Sequence, residues 1–143
     1  NQKMPHHVVD RLEEIMGNDL KGKEVLVFGV SYRPNIGDSR YSPTEILVRE
    51  LETRGAVVLL NDPVVGYWDE MNVAVTNKMP CQAVDGVILA VAHTAYKDQK
   101  MFDWLSQKTS VIVDAANILS VRQHNQLKDQ GLQVCSIGRG SDT

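Results

Sequence analysis

Val25-Leu26-Val27-Phe28-Gly29-Val30-Ser31-Tyr32-Arg33-Pro34-Asn35-Ile36-Gly37-Asp38-Ser39-Arg40-Tyr41-Ser42-Pro43 holds a strand, a polar loop and a helix start in one passage. The apolar run Val25-Leu26-Val27-Phe28 reads as a buried β-strand. From Pro43 onward Ile46, Leu47, Val48 and Leu51 recur at helical spacing, with Ser42 placed as N-cap and Pro43 at the first helical position. A strand, a loop bearing Arg33 and Arg40, and then a helix N-terminus form an arrangement suited to binding an anion. An ordinary dinucleotide-binding strand would instead turn tightly through G-x-G-x-x-G. Only Gly29 fits that pattern, and the loop is too long for the turn.

Outward from this passage, strands and helices alternate. Met4–Met16 reads as an amphipathic helix ended by Gly17-Asn18. After the strand Val25–Val30 and the helix Pro43–Arg54, the pattern predicts a second strand over Val57–Leu60, an irregular stretch over Val64–Met71 and a short third strand over Val73–Thr76. A helical turn is expected at Gln82–Asp85, then a strand at Gly86–Val91, a helix at Lys100–Gln107 and a strand at Ser110–Asp114. A helix over Leu119–Gln130, stopped by Gly131, and a strand over Gln133–Ile137 complete the order, and the acidic, Gly-containing end reads as frayed. The strands are apolar throughout rather than alternating, as expected when helices cover both faces of a sheet. The fold class is therefore α/β: a Rossmann-like, doubly wound, mostly parallel sheet with helices on both faces, preceded by one N-terminal helix. Ligands of such sheets sit outside the carboxyl ends of the strands, here Ser31–Tyr41, Asn61-Asp62, Ala92–Tyr96 and Ala115–Ile118.

At 143 residues, with 43% hydrophobic and 23% charged residues, the chain reads as one ordinary globular domain. A net charge of −3 gives no general attraction to nucleic acid or to an anionic membrane, so any anion site is local. No apolar run approaches the roughly 20 residues needed to span a bilayer, and no signal peptide is visible. The chain opens on Asn1 rather than Met and reads as a fragment. Cys81 and Cys135 lie far apart without a partner motif, which points to free thiols in a cytoplasmic protein.

The stretch Tyr32–Pro43 resembles the aromatic–Lys-x-x-x-x-Asp-x-Arg-x-Ser-Pro signature in the C-terminal, UDP-binding domain of the UDP-glucose/GDP-mannose dehydrogenase family. Four further features agree in order: Asn1 with Met4-Pro5, Leu20-Lys21-Gly22-Lys23, Asn61-Asp62-Pro63, and Ile137-Gly138-Arg139. Tyr32-Arg33-Pro34-Asn35 and Val91-Ala92-His93 look most like the branch that acts on UDP-N-acetylhexosamines (N-acetylmannosamine or N-acetylglucosamine) at C6. The resemblance implies that residues 1–18 end an inter-domain linker helix and that residues 19–143 form the UDP-sugar-binding domain. It implies that Tyr32 and Arg33 contact the nucleotide-sugar substrate, and that Arg40 reaches an NAD held mainly by an absent N-terminal domain. Arg33 stands where the family usually has Lys, and Ala116 stands where an Arg normally contacts substrate after the strand ending in Asp114.

On the residues alone, Arg33 and Arg40 could equally be a surface pair bridging to Asp38; a guanidinium fork also matches phosphate oxygens, and the resemblance favours ligand contact. Asp38 reads as an organiser of the loop rather than a general base, and Asp62 as a turn-capping aspartate. His93 reads as a plain loop histidine, His6-His7 lack metal-ligand spacing, and Trp68 and Trp104 read as packing residues, so no metal is assigned.

Enzymes of this kind oxidise the C6 alcohol of a UDP-sugar to a uronic acid, reducing two NAD, in polysaccharide biosynthesis. They do so through a cysteine thiolate in a Gly-rich, Lys-Asp-flanked motif. Neither Cys81 nor Cys135 sits in such a motif, so the chain is expected to bind a UDP-sugar without turning it over and to carry no catalytic residue. Its implied partners are the N-terminal and central domains of the same polypeptide, which would form a homodimer or higher assembly. Two rival readings are a ligand-free Rossmann-like interaction or regulatory module, and an NAD-binding domain of a different dehydrogenase. The two loop arginines oppose the first, and the missing glycine fingerprint opposes the second.

Overall fold

A computed structural model of the chain describes residues 3–137. The expected frayed end, the Gly138-Arg139 part of the last matched motif and Asn1 lie outside these residues.

Five strands form one parallel sheet: β1 (Glu24–Phe28), β2 (Val57–Asn61), β5 (Gly86–Leu89), β6 (Val111–Asp114) and β7 (Gln133–Ser136), in the order β2-β1-β5-β6-β7. The chain leaves β1 to place β2 on one side, then returns to place β5 on the other, so strand order reverses between β1 and β5. Between β2 and β5 lie β3 (Tyr67–Trp68), a 3-10 turn (Asp69–Met71) and β4 (Val73–Ala74). The α-helices are α1 (Lys3–Ile15), α2 (Pro43–Thr53), α3 (Gln99–Lys108) and α4 (Val121–Asp129), and a second 3-10 turn spans Thr94–Lys97.

The uninterrupted apolar character of the strands has the expected cause. In β1, Val25 and Val27 face a core with Val8, Val9 and Leu12 of α1 and Leu47, Val48 and Leu51 of α2. Leu26 and Phe28 point the other way, into a core with Met101, Trp104 and Leu105 of α3 and Leu127 of α4. Phe28 meets Tyr96 and Trp104 edge-on, at 5.2 and 5.6 Å between ring centroids. Trp104 donates its Nε1–H to the Pro80 carbonyl, and Trp68 is fully buried. Cys81 is exposed, and Cys135 is buried with its Sγ accepting from Arg11 Nε at 3.2 Å.

The helix α1 is tied to α2 by an ion-pair network as well as by their shared core. Arg54, a fifth exposed, bonds Glu50 of its own helix at 2.8 Å, and Glu13 at 3.2 Å and Asp10 at 2.6 Å on α1. Arg54 is the C-cap residue of α2, where a cation also suits the helix dipole.

Three stretches differ from their predicted structure; one is Val64–Met71, expected to be irregular, which holds β3 and the first 3-10 turn. Gln82–Asp85 forms no helical turn, because its amides bond elsewhere: Val84 N–H donates to Lys108 O at 2.8 Å and Asp85 N–H to Glu24 O at 3.0 Å. The Asp85 carboxylate in turn accepts from Glu24 N–H at 2.8 Å. The third strand is shorter than expected and pairs antiparallel with β3, outside the main sheet. Asn72 turns the chain there at φ 51°, and Thr76 keeps only a single bridge to Asn61.

The end of β1 sets the position of everything that follows. Gly29 has φ +104°, a conformation that L side chains rarely adopt, and its Cα faces the chain leaving β5. A Cβ there would lie 2.5 Å from Val91 Cβ and 2.9 Å from Val91 N. Gly29→Ala combines backbone strain with a clash against backbone, and should cost roughly 2–5 kcal/mol of stability, read from the urea midpoint.

Candidate functional site

The carboxyl ends of β1, β2 and β5 meet where strand order reverses, and a buried polar cluster ties them together. Asp62, at the end of β2 and 1% exposed, uses both oxygens. Its Oδ1 accepts from Val64 N–H at 2.8 Å and Val65 N–H at 2.9 Å, capping its own turn. Its Oδ2 accepts from Val30 N–H at 2.8 Å and Ser31 N–H at 3.1 Å at the end of β1, and lies 3.0 Å from His93 Nε2. Burial by itself raises the Asp62 pKa, but the amides of Val64, Val30 and Val65 together with His93 outweigh it and hold the carboxyl below its ordinary value. Tyr96 ties the β5 side to β2 as well, donating its hydroxyl to Asn61, and burial pushes its phenol above the usual range.

His93 is therefore not a plain loop histidine. It is fully buried, with its Nε2 2.9 Å from Ser31 Oγ and its Nδ1 accepting from Asn35 N–H at 2.8 Å. Its partners lie 31, 58 and 62 residues away in sequence, so no local pattern announces them. The available signal was position alone: His93 and Asp62 both follow strands at the carboxyl side of the sheet.

The Ser, His and Asp here resemble a hydrolase triad only in type. Ser31 and Asp62 both address the same ring nitrogen, and Ser31 Oγ donates to Arg33 O at 3.2 Å. A triad needs the carboxylate on the far nitrogen and an accessible hydroxyl, whereas Ser31 is 0% exposed. The cluster is a clasp for the loop.

Above it the loop of residues 31–41 displays the side chains that the motif singled out. Tyr32 N–H bonds Asp38 O, closing the loop on itself, and Ser39 Oγ bonds Glu70 at 2.8 Å. Asn35 Nδ2 donates to Thr94 Oγ1, and Thr94 N–H donates back to Asn35 Oδ1, each at 2.9 Å. Tyr32 is about half exposed, and the Arg33 guanidinium stacks over its ring at 5.3 Å from the centroid. The two arginines differ. Arg40 is held by Asp38 through Nε at 3.1 Å and Nη2 at 3.0 Å, while Arg33 meets no carboxylate among the described residues. Bonds from the Arg40 side chain and amide hold the Asp38 pKa down at about 2.

The α2 N-terminus is less open to an anion than its sequence implies. Ser42 Oγ accepts from Thr44 N–H, Ser42 O accepts from Glu45 N–H, Pro43 has no N–H, and Glu45 puts a negative charge in the first turn. Of the two arginines on the loop, Arg33 is the one without a carboxylate partner among the described residues. The end of β6 shows why the Ala116 substitution leaves the turn intact: Asp114 accepts from the amides of Ala116, Ile118 and Leu119, which need no particular side chain at 116.

The residues at β1 do not build a dinucleotide cradle. The Gly29 Cα face is closed by Val91, and the clasped loop occupies the place of a tight glycine turn. Among the described residues no three His, Cys, Asp or Glu side chains cluster to hold a metal, and no helix is long and apolar enough to cross a membrane. His6 pairs instead with Glu50 at 3.2 Å.

Two measurements check this electrostatic picture. Asp62→Asn should destabilise the chain by roughly 2–4 kcal/mol at neutral pH in urea unfolding. Since the folded Asp62 pKa lies below 3.8, its contribution is complete above that value and disappears as pH falls below it. The Asp38 carboxyl carbon should titrate near 2 by NMR and shift upward in Arg40→Ala, which removes the guanidinium but keeps the backbone amide bond.

Residues 26–121 match the UDP-glucose/GDP-mannose dehydrogenase family, UDP binding domain. The UDP-glucose 6-dehydrogenase of Rickettsia conorii is 26% identical over 96% of this chain and 33% of its own length. The UDP-N-acetyl-D-mannosamine dehydrogenase of Methanococcus vannielii is 26% identical over 99% of this chain and 33% of its own. The solved NDP-N-acetyl-D-galactosaminuronic acid dehydrogenase of Methanosarcina mazei superposes with a TM-score of 0.83 at 24% identity, over 97% of this chain and 30% of that one. The chain thus spans about a third of the length of these relatives. With the match covering more than half of its residues, the chain belongs to the UDP-glucose/GDP-mannose dehydrogenase family, as a UDP binding domain.

Proposed function

We propose that the chain is the C-terminal nucleotide-sugar-binding domain of an NAD-dependent UDP-sugar 6-dehydrogenase, in which residues 19–143 bind and residues 1–18 end the helix from the preceding domain. The whole enzyme oxidises the C6 alcohol of a UDP-sugar to the uronic acid in the cytoplasm, with two NAD reduced. This chain supplies one wall of the cleft and no catalytic residue.

The observation that carries this reading is Arg33. It is exposed, stacked on a half-exposed tyrosine, and free of any carboxylate among the described residues, at the strand-order reversal where doubly wound sheets take ligands. An aromatic face and a guanidinium side by side suit a base or sugar next to a diphosphate. Arg40, at the outer end of the same loop, is the residue that meets NAD held by another domain; the β1 turn offers NAD no cradle of its own. Assembly into a homodimer or higher oligomer belongs to the remaining domains. Of the sugars, an N-acetylhexosamine suits the Tyr32-Arg33-Pro34-Asn35 sequence.

Calorimetric titration of the chain with UDP, GDP and NAD at low salt tests the assignment. UDP is expected to bind, and Arg33→Ala to weaken it by roughly 1.5–3 kcal/mol, the range of a charge-assisted hydrogen bond. An unchanged affinity in Arg33→Ala would remove the assignment of the site.

A further inference from the structure

We infer that His93 is a positioning residue for the nucleotide-binding arc: a buried imidazole, out of any ligand's reach, that sets where Tyr32 and Arg33 stand. The inference rests on the reading that those two residues contact the nucleotide.

The ring grips the arc at both ends. At one end Nδ1 accepts the Asn35 amide at 2.8 Å, which places the ring proton on Nε2. At the other end Nε2 faces Ser31 Oγ at 2.9 Å and Asp62 Oδ2 at 3.0 Å. Ser31 Oγ then donates to the Arg33 carbonyl at 3.2 Å, so the imidazole also reaches the middle of the arc through one hydroxyl. The exposed side chains of Tyr32 and Arg33 stand between these anchors and stack on each other. Asn35 sits at φ 63°, a left-handed turn that Asn tolerates better than most residues, and its amide bond to Nδ1 holds that turn in place together with the paired Thr94 bonds. His93 is 0% exposed and its nitrogens are all engaged with protein atoms, so its effect on a ligand passes through the backbone of the arc.

Substitution can separate this role from packing. In Asn the side-chain oxygen lies two bonds from Cβ, as Nδ1 does in His, so His93→Asn keeps an acceptor for the Asn35 amide. His93→Ala keeps none. In the parent chain the imidazole nitrogen-15 spectrum should show the proton on Nε2; the opposite tautomer would overturn the inference. In His93→Ala, hydrogen exchange of the Asn35 amide should accelerate and UDP affinity fall, each about tenfold for one lost buried hydrogen bond, while Val25–Phe28 keep their protection. His93→Asn should recover most of both. Parent-like arc exchange and affinity in His93→Ala would overturn the inference. So would a His93→Asn variant as weak as His93→Ala with the sheet intact, since packing alone would then explain the residue. Should His93→Ala lose the sheet, Ser31→Ala replaces it: a severalfold loss of UDP affinity with the sheet intact supports the relay, and unchanged affinity overturns it. Absence of UDP binding by the parent chain would count against the proposed function, and the ligand-free spectrum and exchange would still decide the role of His93.

Discussion

The carboxylate of Asp62 holds three strand ends together. Its two oxygens take four backbone amides, two from its own turn and two from the end of β1, and the His93 ring brings in the end of β5. A buried charge is expensive unless it is satisfied. Here the cost is offset by donors that converge only when β1, β2 and β5 lie in register, so the carboxylate acts as a condition on the fold as well as a contact within it. The loop after β1 and the hairpin after β2 both start from atoms that Asp62 fixes.

This arrangement changes how the site can meet an anion. In an ordinary dinucleotide fold the first strand turns through glycines, and phosphate sits on free amides at a helix N-terminus. Here Val91 fills the space above Gly29, the loop is stitched down by Asn35, His93 and Thr94, and the first amides of α2 are taken by Ser42. The backbone amides at these points are thereby already bonded within the protein, and Tyr32 and Arg33 are left exposed on the loop. The clasp gives an exposed guanidinium a defined place, which a free loop of this length would not.

The second fixed point is Arg54, whose guanidinium spans α1 and α2 through three carboxylates above a core that includes Val8, Val9 and Leu12. Network geometry and partial burial distinguish it from the exposed pairs on this surface, such as Arg49 with Glu45, which contribute little to stability. It makes α1 part of the same packed body as the sheet.

Local physics was readable from the chain. Apolar runs, the Ser42-Pro43 helix start and the Asp62-Pro63 turn depend on residues a few positions apart, and each is found where its pattern placed it. The match of Tyr32–Pro43 to a family signature pointed to the family whose model matches residues 26–121. What the chain order could not disclose was partner choice. Parallel strands are joined by long crossovers, so the groups that meet at their carboxyl ends come from positions 31 to 62 residues apart. His93 became a buried clasp, and the amides of Val84 and Asp85 went to α3 and β1, because the sheet brought those atoms together. Periodicity and capping fix which elements form; tertiary packing alone decides which polar atoms remain to be satisfied, and by whom.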